Sequence, residues 1–427
     1  MRNRRAWLAA LCLLIGAAAA EAQILTTLFP EGVPGYGTGP GVTVQSRARP
    51  EYDPLGIQID TLTIQPLLSL STGYDDNVFT GPTHVGSWEA AANPSLLVNT
   101  RGSYGSLAAY VSANDVHYLT EPSQDRVDAD VFLGGTYNFG RDVLTLGAAY
   151  LARHEDRTAL DALPSDRPVA FTVANARAAY AAAFGPFTLT PSIDLNRWRF
   201  DNTTILGQPV SEASRDRSTV LLGATVRYEW MNARDAVLVT RVLDTHYDEP
   251  TPGAPSNNSV SWQALVGIDY DNDTVWRYEI LGGVEYRQPA SSTIAPQTAG
   301  IAEAEVVWSP SGMTTVRFTA NRGIEDAAQT GLSSFTYTSA EWRVDHELTR
   351  SVLLDASAIA RQATFNQTGG QQFGVDLGVG ITWLLNRNAR LSLTYDFTDV
   401  RNSHLPAGVV AGDYTRGLTL LTFRIGL

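Results

Sequence analysis

The chain of 427 residues contains no lysine: all 31 basic residues are arginine, set against 44 acidic ones for a net charge of −13. So acidic a chain, with no run of basic residues, lacks the concentrated positive surface that phosphate backbones require, and nucleic acid is excluded as a partner. The single cysteine, Cys12, rules out an internal disulfide and a thiolate metal site. A phosphate-binding glycine loop, a Zn-spaced Cys/His set and a haem motif are also missing, so no cofactor is expected. Beyond the first 22 residues no apolar run approaches the roughly 18 residues of a membrane-spanning helix. Membrane strands stay open, because each needs only about 9 to 11 residues with alternate ones apolar.

What is present begins with a leader. Arg2, Arg4 and Arg5 precede an apolar stretch from Ala6 to Ala20, and Ala20-Glu21-Ala22 forms a cleavage site, the three parts of a secretory signal peptide. Residues 1–22 are therefore expected to be removed together with Cys12, leaving a mature chain from Gln23 with a charge of −15. Residues 23–61 hold Pro30, Gly32, Pro34, Gly35, Gly37, Gly39, Pro40 and Gly41, too rich in Gly and Pro to build a core. They read as a periplasmic tail or partial plug.

From Leu62 to Leu427 the sequence alternates. Trp262, Ala264, Val266 and Ile268 share one strand face and Ser261, Gln263 and Asp269 the other; Trp276, Tyr278, Ile280 and Val284 oppose Arg277, Glu279, Glu285 and Arg287. Side chains of a strand point alternately to its two faces, so each segment is apolar on one side and polar on the other. A soluble sandwich would alternate too, but the connections here also alternate. Tight turns such as Gly140-Arg141, Gly185-Pro186 and Asn386-Arg387-Asn388 are interleaved with long polar loops such as Glu155 to Arg167 and Asp201 to Arg217. Short turns on one rim and long loops on the other define an outer-membrane barrel, here all-β, antiparallel and up-and-down, of about 18 strands (roughly 16 to 20), with both termini periplasmic. Phe187 to Phe200 and Ala236 to Tyr247 alternate poorly, so a bulge or displaced boundary is expected there. Tyr137, Phe139, Phe184, Phe187, Trp230, Trp276, Trp308 and Trp383 are assigned to a turn-side aromatic girdle, and Tyr74, Tyr118, Tyr150, Trp198, Phe200, Tyr286 and Phe397 to a loop-side one.

Two short motifs carry a family resemblance. Arg49-Pro50-Glu51-Tyr52-Asp53-Pro54 before the first strand and Gly73-Tyr74-Asp75-Asp76-Asn77-Val78-Phe79 at its end resemble the putative β-barrel porins of type 2, outer-membrane proteins often encoded near exopolysaccharide genes. The ending Leu421, Phe423, Ile425, Leu427 resembles the terminal β-signal read by the outer-membrane assembly machinery, although that pattern more often closes on Phe or Trp. The resemblance implies a barrel of the porin or polysaccharide-export kind and no catalytic residues. Asp75-Asp76-Asn77 reads as a loop cap made by side-chain hydrogen bonds, in preference to a divalent-cation site.

Asp115/His117 and Asp244/His246 could each share a strand face and so admit a hydrolase, whereas adjacent Asp345 and His346 point apart. No motif surrounds any of them, and an enzyme is not expected. The function expected is a porin-like pore, with an outer-membrane conduit for exopolysaccharide as its specific form and a structural or adhesive barrel as the alternative. Alternation points Asp128, Asp130, Asp194, Asp269, Arg277, Glu279, Glu285, Glu341, Arg343, Asp345, Asp355, Arg361, Arg390, Asp396 and Arg424 into the lumen, each assignment depending on strand register. The partners implied are outer-membrane lipid and lipopolysaccharide, the assembly machinery, and a periplasmic polysaccharide-export protein.

Overall fold

The computed structural model describes residues 32–36, 42–249, 255–271, 275–329, 332–405 and 412–427. The expected leader and cleavage site lie outside these residues. The strands are β1 (Ile57–Ile59), β2 (Leu62–Asp75), β3 (Ser87–Gly102), β4 (Gly105–Tyr118), β5 (Arg126–Phe139), β6 (Asp142–His154) and β7 (Ala170–Phe184). They continue as β8 (Phe187–Phe200), β9 (Thr203–Ile205), β10 (Gln208–Val210), β11 (Arg217–Met231), β12 (Arg234–Tyr247), β13 (Ser259–Tyr270) and β14 (Trp276–Pro289). The last are β15 (Gln297–Ser311), β16 (Thr314–Asp326), β17 (Ser334–Thr349), β18 (Val352–Phe365), β19 (Gln371–Leu384), β20 (Ala389–Ser403) and β21 (Tyr414–Gly426).

Each strand from β2 to β8 and from β11 to β21 pairs antiparallel with its neighbours in the chain, with β8 next to β11, and β21 returns to β2. The result is a closed barrel of 18 strands, which leaves no long edge to attract another chain. Connections of five residues or fewer on one rim alternate with longer ones on the other, except that the loop-side connection from β18 to β19 is itself only five residues long. Both ends of the barrel chain, Leu62 and Gly426, sit on the short-turn rim. The small hairpin β9–β10 lies within one long loop.

The outward faces carry an apolar band that includes Val131, Leu133, Val266, Val284, Leu377 and Val379, all exposed. No protein layer covers it, so its solvent is lipid hydrocarbon. The register through Phe187–Phe200 and Ala236–Tyr247 is unbroken, which corrects the expected bulge. Alternation looks poor there because the inward face is itself partly apolar: Val237 and Val239 bury against Leu265, Leu281 and Ile301 inside the barrel. Among the described residues of these strands, the register shift falls instead in β11 between Glu229 and Met231, at a turn.

The second sequence motif sits at the seam where the barrel closes, and the first leads directly to it. On the loop side, Arg416 of β21 clasps both carboxylate oxygens of the fully buried Asp75 (2.6 Å), Gly417 N–H donates to Asp76 (2.6 Å), and Asn77 Nδ2 donates to the Thr415 carbonyl (2.8 Å). An arginine on Asp75 leaves that carboxylate no room for a cation and makes the triplet a structural clasp. On the turn side, β1 folds back on β2 where β21 has run out, and Gly56 N–H donates to the Leu427 carbonyl (3.0 Å). Breaking a buried pair of this kind costs about 3 to 5 kcal/mol. Asp75→Ala is therefore expected to lower the urea midpoint of the refolded barrel clearly, while Glu51→Ala, at an exposed position in the other motif, leaves it unchanged.

Candidate functional site

The candidate site is the lumen, and its wall is a lattice of ion pairs. Arg153 of β6 meets Asp130 of β5 (2.6 Å), and Arg177 of β7 meets Asp194 of β8. Arg227 of β11 bridges Asp269 of β13 and Glu279 of β14 (2.6 Å to Glu279). Arg241 reaches Glu303 (2.7 Å), and Arg361 reaches Asp376 (2.7 Å). Asp128 accepts from the His154 backbone N–H (2.9 Å). Such pairs form because a charge half removed from water needs a partner. Neighbouring strands supply it for Asp130, Asp194 and Asp376, while Arg227 and Arg241 reach across two or three strands of the curved inner wall.

All fifteen lumen candidates stand on the face opposite the apolar band. Eleven of them are placed by the same strand alternation as a buried or ion-paired neighbour: Asp128, Asp130, Asp194, Asp269, Glu279, Glu285, Asp345, Arg361, Arg390, Arg277 and Arg343. Glu341, Asp355, Asp396 and Arg424 follow by register. Arg153, Arg177, Arg227, Arg241, Glu303, Asp376 and Arg416 belong to the same lattice and were not singled out from the sequence, although each lies on the polar side of its own alternation.

The N-terminal segment enters this lumen. Val33 and Tyr36, 1% and 2% exposed, pack against Phe132, Leu151, Val173 and Trp198 on the inner wall. Tyr36 hydroxyl donates to Asn175 Oδ1 (2.6 Å), Arg177 Nη1 donates to the Gly35 carbonyl (2.8 Å), and the Arg177 guanidinium lies over the Tyr36 ring at 4.8 Å. Paired Gly134 and Gly147 provide the seat. A methyl at Gly147 would stand 2.6 Å from the Tyr36 ring, and one at Gly134 would run into the Pro34 carbonyl. Toward the turn-side rim and on the far wall, Val44 N–H donates to Thr315 (3.1 Å), Arg277 donates to the Val42 carbonyl (2.9 Å), and Arg49 pairs with Glu347 (3.2 Å). Asp53 then pairs with Arg390 (2.7 Å), and Arg387 donates to the Pro50 carbonyl (2.9 Å). The first motif is thus the anchor of the segment.

A second segment reaches inward from the loop rim, the connection from β6 to β7. Its Leu160 packs with Leu332 of the β16–β17 loop and with Phe335, Ala363, Phe365 and Val400 on strands far around the barrel. Asp161 N–H donates to Gln372 (2.7 Å), its carboxylate accepts from Ala328 N–H, and Arg361 donates to the Thr158 carbonyl (3.1 Å). Burial pushes the Asp161 carboxyl up to about 7, against the pull of the Ala328 N–H and Arg215, with Glu155 adding to the rise. Burial likewise brings the Arg157 guanidinium in the same loop down to about 10, helped by Arg126. Arg157 donates to Gln124 (2.7 Å) and the Ser165 carbonyl (2.9 Å), which ties this loop to its neighbour.

Three aromatics assigned to the loop-side girdle turn inward instead. Tyr118, Trp198 and Phe200 are 4%, 3% and 9% exposed. Trp198 and Phe200 stack with Phe171 beneath Arg217, and Arg215 covers Phe200. Ring position along a strand gave height but not face, and these three stand on the inward parity. Asp115, His117, Asp244 and His246 have the opposite parity and lie exposed or half-exposed on the outer face.

A closed antiparallel barrel with an apolar girth and a charged bore defines an outer-membrane, porin-like β-barrel. The chain belongs to the family described as "Putative beta-barrel porin 2", whose model matches residues 49–425. No curated protein matches its sequence significantly. Among solved structures it is similar to the outer membrane protein OpdK of Pseudomonas aeruginosa, at 12% identity and a TM-score of 0.45 over 85% of this chain and 99% of that one. OccK2 (OpdF) of the same organism gives 12% identity and a TM-score of 0.46 over 86% and 99%, and OccAB4 of Acinetobacter baumannii 12% and 0.45 over 85% and 98%.

Proposed function

We propose that the barrel is a pore whose bore is narrowed from the turn side by the N-terminal segment and from the loop side by the β6–β7 loop. In this reading the turn-side rim and both termini are periplasmic, after export and removal of a leader. The observation that carries it is the seat of Gly32–Tyr36 at mid-height on the inner wall, because a bore that holds a turn of polypeptide has the width to pass another linear chain once that turn leaves. That supports an exopolysaccharide as cargo, handed over by a periplasmic export partner at the turn-side rim. The barrel performs no chemistry of its own: the geometrically plausible Asp/His pairs face outward. The ion-pair lattice favours a second reading, a closed structural barrel stiffened across its lumen.

Single-channel conductance of the refolded mature barrel in a planar bilayer separates the two, with residues 23–41 present or deleted and the anchor at Arg49 and Asp53 retained. A pore gives current in the shortened barrel and less in the full one. Absence of current in both, with folding confirmed by heat-modifiable migration, overturns the pore and leaves the structural barrel.

A further inference from the structure

We infer that the β15–β20 wall sets the selectivity of this pore and makes it prefer cations, an inference that rests on the pore reading above. Across most of the lumen opposite charges meet within a few ångströms, so their fields largely cancel for a passing ion. On this stretch they do not. Glu305, Glu341, Asp345, Asp355 and Asp396, and with them Arg317 and Arg343, have no ion-pair partner within 4.0 Å among the described residues.

Register makes the arrangement costly. Asp345 stands directly opposite Asp355, and Arg317 directly opposite Arg343. Like charges facing each other across strands destabilise a sheet, and a wall built only for rigidity would interleave the signs, as Asp130 and Arg153 do. Asp345 is 4% exposed, and its Oδ1 has no hydrogen-bond partner among the described residues. Beside it, Asp355 leans over Gly380 and Asp396 over Gly378, where a methyl would come within 2.9 Å of the Asp396 carboxylate. With no side chain on β19 at either position, the carboxylates of Asp355 on β18 and Asp396 on β20 lie over bare backbone on the bore side of the wall. Asp376 of β19, by contrast, is held by Arg361 and Thr398.

Five unmatched carboxylates against two unmatched guanidinium groups leave a negative potential, and a low-dielectric wall concentrates it on the permeating ion. Two other lumen arginines do not reverse this balance. Arg277 is engaged by the Val42 carbonyl, and Arg424 stands opposite Arg390 near the turn-side rim.

The test is the reversal potential in a KCl gradient, measured on the full mature barrel and on the barrel lacking residues 23–41. Potassium preference is expected, and Asp355→Asn with Asp396→Asn should reduce the permeability ratio several-fold toward unity. Asp244→Asn, which removes a carboxylate from the outer face, should leave it unchanged. A wild type without cation preference, or variants with an unshifted reversal potential, overturns the inference. A second readout needs no current: Asp355→Asn should raise the urea midpoint at low ionic strength by relieving Asp345, and the gain should vanish in high salt. An unchanged midpoint overturns the facing-carboxylate geometry. A raised midpoint in barrels that carry no current sinks the pore reading while leaving that geometry standing.

Discussion

Replacing Gly134 and Gly147 by alanine is expected to open the barrel as fully as deleting residues 23–41. The two added methyl groups are the smallest change that fills the seat: one would collide with the Pro34 carbonyl and the other with the Tyr36 ring. Neither position has a positive φ, so alanine imposes no backbone strain, and glycine within a strand gains nothing intrinsically over it. The wall therefore keeps its register while Gly32–Tyr36 loses its place. Single-channel conductance should rise to the level of the shortened barrel, and heat-modifiable migration should be unchanged. Val33→Ala, which shrinks the segment without filling the seat, should fall between wild type and the double variant. A double variant that conducts like wild type would show that the segment does not limit the bore.

The architecture was legible in the sequence because a membrane barrel imposes two periodicities at once, side-chain parity within strands and turn length between them. Val266 and Val284 against Asp269 and Glu285 gave the face, and Gly185-Pro186 against Glu155 to Arg167 gave the rim. What parity cannot give is what the inner face meets. Trp198 and Phe200 looked like interface aromatics because nothing local says that Phe171 stacks beside them and Arg217 covers them. Nothing local distinguishes Gly134 from any other strand glycine, because the residue that needs its bareness, Pro34, lies about a hundred positions earlier. The same holds for the two motifs. Their residues could be picked out by resemblance, but their roles as anchor and clasp depend on Glu347, Arg390 and Arg416, which only closure of the barrel brings to them.

The loop-side constriction should answer to pH through Asp161. Its side chain is 4% exposed, its backbone is left-handed (φ 67°), and it joins the β6–β7 loop to Gln372 of β19 and Ala328 of the β16–β17 loop. Arg215 and Glu155 are the charged groups that act on it, with opposite signs, and Gln329 faces it as a neutral amide. In the docked loop the carboxyl titrates at about 7, against 3.8 when solvated. Below about pH 4 both forms hold the proton, and docking has its full strength. Between about 4 and 7 only the docked form holds it, so docking weakens by roughly 1.4 kcal/mol per pH unit. Above about 7 both forms are ionised, and the loss is complete. Conductance of the barrel lacking residues 23–41 should accordingly climb across that window and level off near neutrality. Asp161→Asn keeps an oxygen for the Ala328 N–H and tolerates a positive φ, but it has no proton to lose. Its conductance should stay low from pH 4 to 8. A wild-type profile that is flat there, or an asparagine variant that follows wild type, would remove Asp161 as the latch and leave the loop held by Leu160 and its apolar neighbours alone.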